Sequence, residues 1–299
     1  MNGIIRHTAR ARTFLLASSI LVPALALGGL ATEAQAQDEV ELSVPQLTSC
    51  SERYSLISSM QPELRQDARE AIRRGFDTRR DWGTDENIEI MRRDTTARGE
   101  PVVRVHYPEG TSSPGDTEPG GAGFYTEHTE LAGADSACLR YQVRFAPDFD
   151  FVRGGKLPGL YGGEAPSGGD RATGENGFSM RFMWREDGDG ELYEYVVNQD
   201  EEYGASVGRG LWRFETGRWV TIEQEIVLND PDRKNGVARV WIDGEPILEQ
   251  QGIVYRTTDS LHIDGVMFST FFGGHGEEWR TPYDQSVDFA GFRLYAPSS

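Results

Sequence analysis

From about residue 87 onward the chain consists of about ten short runs rich in β-branched and aromatic residues, each bounded by Gly, Pro, Asn or Asp. The runs are 87–92, 102–107, 122–130, 137–145, 177–185, 191–198, 219–228, 237–242, 263–272 and 287–295. Strands of this length and spacing, with no helical segments between them, imply a sandwich or barrel rather than a parallel sheet. Asp243-Gly244 is a hairpin turn signal, and Asn229-Asp230-Pro231 with Asn235-Gly236 bounds another turn. There is no internal repeat.

The N-terminal third reads differently. Arg6, Arg10 and Arg12 precede an apolar stretch from Phe14 to Leu30, and Ala34-Gln35-Ala36 is a small-x-small cleavage site. This predicts a signal peptide over 1–36, removed before Gln37, and not a membrane anchor, because Pro23 and Gly28-Gly29 interrupt a short apolar run. The protein is therefore expected to be secreted or periplasmic, without stable membrane insertion. Residues 37–84 read as an N-terminal extension with a short helix from Pro62 to Arg74, in which Leu64, Ala68 and Ile72 share a face and Gly75 ends the helix. Residues 85–299 make the main domain. Cys50 and Cys138 remain in the mature chain, and an oxidising compartment favours their pairing, with two buried thiols as the alternative.

Net charge is −18, and loss of the signal's three arginines and Glu33 takes it to −20. That excludes nucleic acid as a partner. It also opposes an anionic polymer at long range, but salt screens the field within about 8–10 Å, where a local Lys/Arg cluster can dominate.

One hairpin concentrates chemistry. In Gly177–Arg185, alternation puts Phe178, Met180, Phe182 and Trp184 on one face and Ser179 and Arg181 on the other. Tyr193 and Tyr195 share a face on the next run, after the polar turn Glu186–Glu191. Centring the hairpin on Gly188 sets Arg181 opposite Tyr195 and Met183 opposite Tyr193. A sheet face with a hydroxyl, a guanidinium and two phenols suits a carbohydrate groove. Upstream lies Gly154-Gly155-Lys156-Leu157-Pro158-Gly159-Leu160-Tyr161-Gly162-Gly163, read as a Gly-rich segment able to approach a ligand closely.

The Gly-Gly-Lys-Leu-Pro-Gly-Leu-Tyr-Gly-Gly run, the Ser179-x-Arg181 pair and the Tyr193-x-Tyr195 pair together resemble polysaccharide lyase family 14, the alginate and glucuronan lyases. The likeness to the family 20 glucuronan lyases is more distant. It covers roughly residues 85–297. The resemblance implies an all-β jelly-roll sandwich of concanavalin-like type. It also implies a catalytic set of Lys156, Ser179, Arg181, Tyr193 and Tyr195. The expected reaction is β-elimination from a polyuronate, leaving an unsaturated uronate end. No cofactor is required; a structural calcium is compatible with the family 20 relatives.

That chemistry fits those residue types. The C5 proton of a uronate is weakly acidic, so its carboxylate must be neutralised while a base takes the proton and an acid protonates O4. Arg181 suits a bidentate carboxylate clamp. Nearby Lys156 and Arg181 are expected to lower a tyrosine's pKa, and the register above favours Tyr195 for proton transfer. Lys156 and the tyrosines both remain candidates for the base. His106, His275 and Trp279 are secondary candidates for substrate contact, and ordinary roles for the two histidines are the simpler reading. Trp184, Trp212, Trp219 and Trp241 are expected in the core. Asp187-x-Asp189-x-Glu191 lacks a full calcium-loop pattern and reads as a turn with solvated acids, so no metal site is assigned. A monomer is expected. The rival readings are a non-catalytic carbohydrate-binding jelly roll and a glycoside hydrolase, whose paired carboxylates are not evident on any strand.

Overall fold

The computed structural model describes residues 42–43, 48–64, 67–92, 99–115, 120–274 and 276–298. The signal-peptide reading and His275 lie outside them. Among the described residues the strands are, in chain order, β1 (Leu42–Ser43), β2 (Ser55–Met60), β3 (Thr78–Trp82), β4 (Ile88–Met91), β5 (Val102–Tyr107), β6 (Ala122–Thr126), β7 (Ser136–Phe145) and β8 (Gly154–Gly163). They continue with β9 (Gly177–Arg185), β10 (Gly190–Tyr195), β11 (Ala205–Val207), β12 (Val220–Val227), β13 (Gly236–Ile242), β14 (Glu245–Ile253), β15 (Gly265–Thr270) and β16 (Gln285–Ala296). Two helices, α1 (Cys50–Arg53) and α2 (Ala68–Gly75), precede most of the sandwich.

The strands form two antiparallel sheets, one ordered β1-β14-β13-β12-β7-β16-β5-β4 with β2 also on β16, the other β11-β10-β9-β8-β15-β6-β3. This is the expected β-sandwich. Between the sheets lies one large apolar core that includes Tyr141, Phe178, Met180, Phe182, Trp184, Phe268, Phe289 and Phe292. Tyr141 and Phe292 stack at 5.0 Å, and Phe124 and Phe268 at 4.3 Å. Such pairs stabilise by about 0.5–1.5 kcal/mol beyond the area they bury.

Two local departures from the sequence reading matter. The helix begins at Ala68, not Pro62, because the Asp67 side chain accepts the Glu70 N–H and caps it there; Leu64 is left exposed. The segment read as an extension supplies strands to both sheets, β1 on β14 and β2 on β16 in one and β3 on β6 in the other. Cys50 and Cys138 form a disulfide, 5.8 Å between Cα atoms, which ties α1 to β7 and packs on Trp241.

The Gly-rich run is itself a strand, β8, and it carries a bulge between Leu157 and Leu160. Pro158 has no N–H for the ladder, and the extra residue lets both Leu157 and Leu160 face the core. Gln224, from the opposite sheet, accepts the Leu160 N–H at 2.8 Å and donates to the Met180 carbonyl at 2.6 Å. Tyr141 Oη donates to the Pro158 carbonyl at 3.0 Å. The interrupted ladder is thus satisfied from across the core, as buried backbone groups require. Gly159 fits because a Cβ there would lie 1.9 Å from the Met180 carbonyl oxygen.

Candidate active site

The outer face of the seven-stranded sheet carries a cleft of about 810 Å³. Lys156 from β8, Arg181 and Arg185 from β9, and Tyr193 and Tyr195 from β10 all line it. Adjacent strands and period-two alternation bring them together: β8, β9 and β10 are neighbours, Phe182, Trp184 and Leu192 point into the core, and Met183 shares the cleft face with the two tyrosines.

The hairpin register differs from the sequence expectation. Arg181 pairs with Tyr193, Tyr195 with Ser179, and Met183 with Glu191. The turn centres one residue earlier because Asp187 takes a left-handed conformation (φ 57°) and the Arg185 N–H bonds to the Asp189 carbonyl at 2.7 Å. A one-residue shift of centre moves each partner by two, so every side chain keeps its face.

Lys156 Nζ stands 4.4 Å from the centre of the Tyr193 ring and 5.8 Å from that of Phe271. Arg181 Cζ is 5.9 Å from the Tyr193 ring centre. Both cations are buried, and neither forms an ion pair with any described carboxylate. Arg181 Nε is buried without a hydrogen-bond partner. Burial, reinforced by Arg181 and Arg185, pushes the Lys156 ammonium well below its ordinary pKa. Burial also lowers Arg181, against the opposing influence of Tyr195, Tyr125 and Tyr193. A desolvated, unpaired pair of cations is a costly arrangement that an anionic ligand would relieve.

Tyr193 does not behave as its cationic neighbours alone would suggest. Burial, then the adjacent Tyr195, pushes the Tyr193 phenol up despite Arg181. Desolvation of a phenolate outweighs one guanidinium at this distance. Each phenol oxygen accepts a backbone N–H, Tyr193 from Gly204 at 3.1 Å and Tyr195 from Gly169 at 3.3 Å. Gly204 must be a glycine here, since a Cβ would lie 2.6 Å from the Tyr195 ring and 2.8 Å from that of Tyr193. Ser179 is fully buried and donates to the Pro166 carbonyl at 2.7 Å, so it holds the loop that reaches Tyr195 rather than lining the cleft.

A sequence model of the family described as polysaccharide lyase 14 matches residues 95–292. A marine family 14 alginate lyase from Aplysia kurodai is similar over 81% of this chain and 100% of its own, at 31% identity and a TM-score of 0.72. The chain belongs to polysaccharide lyase family 14. An alginate lyase from Chlorella virus shares the fold at 22% identity and TM-score 0.66, covering 81% of this chain and 100% of its own. An endo-β-1,4-glucuronan lyase from the fungus Trichoderma reesei shares it more loosely, at 13% identity and TM-score 0.52, over 82% of this chain and 96% of its own. No curated protein matches.

In this polysaccharide lyase the remaining candidates separate. Trp279 lines the cleft, its indole lying over Gly274, where a Cβ would come within 2.3 Å. His106 is on β5 of the other sheet, 3.3 Å from Glu89, and does not join the site. Glu191 is not a solvated turn acid. It is fully buried on β10 and bound by Arg185 and Arg209, each at 2.6 Å. Asp189 pairs with Arg213 at 2.8 Å. These carboxylates are taken by arginines rather than assembled around a cation. Arg185 and Glu191 were readable by continuing the alternation, two positions beyond Met183 and two before Tyr193. Among the described residues the acids lining the cleft, Glu201 and Glu202, are neighbours on one exposed loop, not the facing pair a glycoside hydrolase uses. Among the described residues no helix is long and apolar enough to cross a membrane.

Proposed function

We propose that this polysaccharide lyase cleaves alginate, with Lys156 as the base and Tyr193 as the acid. The observation that carries the assignment is the pair itself. Lys156 is driven toward the neutral amine and Tyr193 toward the neutral phenol, in contact across one cleft. Groups whose environments separate their pKa values in this way mark acid and base roles.

Arg181 receives the uronate carboxylate and stabilises the charge that grows on it as C5 is deprotonated. The Lys156 amine takes the C5 proton, the electron pair forms the C4–C5 double bond, and the C4–O4 bond breaks. Tyr193 gives its proton to the departing O4. Its oxygen already accepts the Gly204 N–H, which supports the phenolate so formed. Tyr195 orders the adjoining loop through Gly169. Every group in this scheme belongs to the chain, so it calls for no cofactor. Alginate is favoured over glucuronan because the relative of 31% identity acts on alginate. Export is supported by the disulfide and by the signal-like N-terminus.

The test is ultraviolet absorbance of the conjugated product when the purified protein meets polymannuronate, polyguluronate and glucuronan separately, beside Lys156→Ala. A rise on an alginate block that the variant loses supports the proposal. A rise on glucuronan alone overturns the substrate. Binding without any rise favours a non-catalytic carbohydrate-binding protein.

A further inference from the structure

The edge of the cleft-bearing sheet is β3, which precedes the stretch matched by the family model. Its cleft face is unusual for an edge strand. Arg80 pairs in register with Tyr125, and Trp82 with Gly123. Both Trp82 and Tyr125 line the cleft. The Trp82 indole lies across Gly123, where a Cβ would sit 2.2 Å from Nε1, and it meets Phe271 edge-on at 6.0 Å. An aromatic face half-buried on a glycine bed is held rigidly yet left open on one side.

Arg80 is exposed, with its guanidinium 3.8 Å above the Tyr125 ring. Among the described residues it has no carboxylate partner. The neighbouring acid, Asp81, is taken on the core side by Arg69 at 2.9 Å and by the Thr84 hydroxyl at 2.7 Å. The guanidinium is therefore oriented by Tyr125 and free to meet an anion. β3 lies three strands from β8, so this pair stands about 14 Å from the strand of Lys156.

We propose that Trp82 and Arg80 form a distal subsite for one further uronate of the bound polymer, Trp82 stacking on the sugar face and Arg80 meeting its carboxylate. This rests on the polyuronate reading above. The polymer then runs across the strands, from the loops over β10 to the edge at β3. The segment before the family-matched region sets how long a chain the lyase prefers.

The experiment compares wild type, Arg80→Gln and Trp82→Leu on polymer and on size-graded oligouronates. For Arg80→Gln, kcat/KM is expected to fall about threefold to fivefold more on the polymer than on the shortest oligomer cleaved, the scale of one exposed ion pair. High salt should erase that difference for Arg80→Gln and leave it for Trp82→Leu. Equal losses at every length, or no loss at any, overturn the subsite. Arg80 is exposed and its variant is expected to fold, so the answer does not hang on Trp82→Leu. Should wild type cleave no polyuronate, the lyase reading fails separately. Affinity electrophoresis, read as mobility in a polymer-containing gel relative to a polymer-free gel, still decides the subsite: greater retardation of wild type than of both variants supports it, and equal retardation overturns it.

Discussion

Lys156 Nζ lies 4.4 Å from the centre of the Tyr193 ring, with no described carboxylate to pair it. The ammonium is disfavoured by burial and by two guanidiniums, so its folded pKa lies well below the unfolded 10.5. The pH dependence of kcat/KM reports groups of the free enzyme. It should rise as Lys156 loses its proton and level off well below pH 10.5. Tyr193, pushed up, keeps the plateau flat into alkaline solution. A limb that levels only near 10.5 would sink Lys156 as the base. Stability gives an independent check. A lysine with a lowered folded pKa destabilises the fold below that pKa, and the loss is recovered as pH rises toward 10.5. Lys156→Met should therefore melt above wild type at neutral pH, with the gap closing on the alkaline side.

Arg181 should not tolerate lysine. Its Nε is buried without a partner, and the planar fork can meet both oxygens of a uronate carboxylate. Arg181→Lys keeps the charge and loses the fork. A loss of about 10²–10³ in kcat is expected, the scale of one transition-state donor. The deficit should shrink on partially esterified polyuronate, whose carboxyl groups carry less charge. An equal deficit on both substrates would mean that Arg181 does not serve the carboxylate.

How much of this was readable depended on whether a signal was local. The cleft set was legible because Arg181, Tyr193 and Tyr195 sit on strands whose alternation is unbroken. β9 appears with the bounds that alternation predicts, Gly177–Arg185. The partner of each residue was not legible, because one left-handed residue, Asp187, fixes the hairpin centre. β8 was hidden by Pro158 and Gly159, whose bulge puts Leu157 and Leu160 on the same side and destroys the period. β3, Thr-Arg-Arg-Asp-Trp, has no apolar alternation at all, since its cleft face is Arg80 and Trp82. The fate of Ser179 depended on a loop carbonyl thirteen residues away in sequence. Nothing in a Ser-x-Arg pair reports that.

The Gln224 bridge should matter to both stability and rate. Gln224→Leu leaves the Leu160 N–H and the Met180 carbonyl without their partner across the core. Each buried unpaired group costs about 1–3 kcal/mol. A loss of roughly 2–5 kcal/mol is expected, lowering Tm by about 5–15 °C in a chain of this size. The bulge follows Lys156 on β8 and opposes Arg181 on β9, so kcat should fall at temperatures where the variant remains folded. Unchanged melting would show that the bulge is satisfied some other way.

Glu194 carries the last prediction. It alternates with the two cleft tyrosines, so it points into the core, where Gln250 of the opposite sheet donates to its Oε1 at 2.8 Å. Glu194 Oε2 and Gln250 Oε1 are both buried without partners. Burial raises the carboxyl to about 7, with the Gln250 bond opposing and Glu201 adding to the rise. A raised folded pKa means that the native state binds the proton more tightly than the unfolded chain. Stability is therefore full below pH 4.5 and is lost progressively as pH climbs through about 7. For a fully buried acid that loss is on the order of 3 kcal/mol. Glu194→Gln is neutral at every pH, and its amide can donate to the unpartnered Gln250 oxygen. It should match wild type near pH 4.5 and melt higher above pH 7. Melting curves of the two proteins across that range decide the matter. A constant difference between them would mean that Glu194 is charged throughout, and that the contact beneath the tyrosine strand does not titrate.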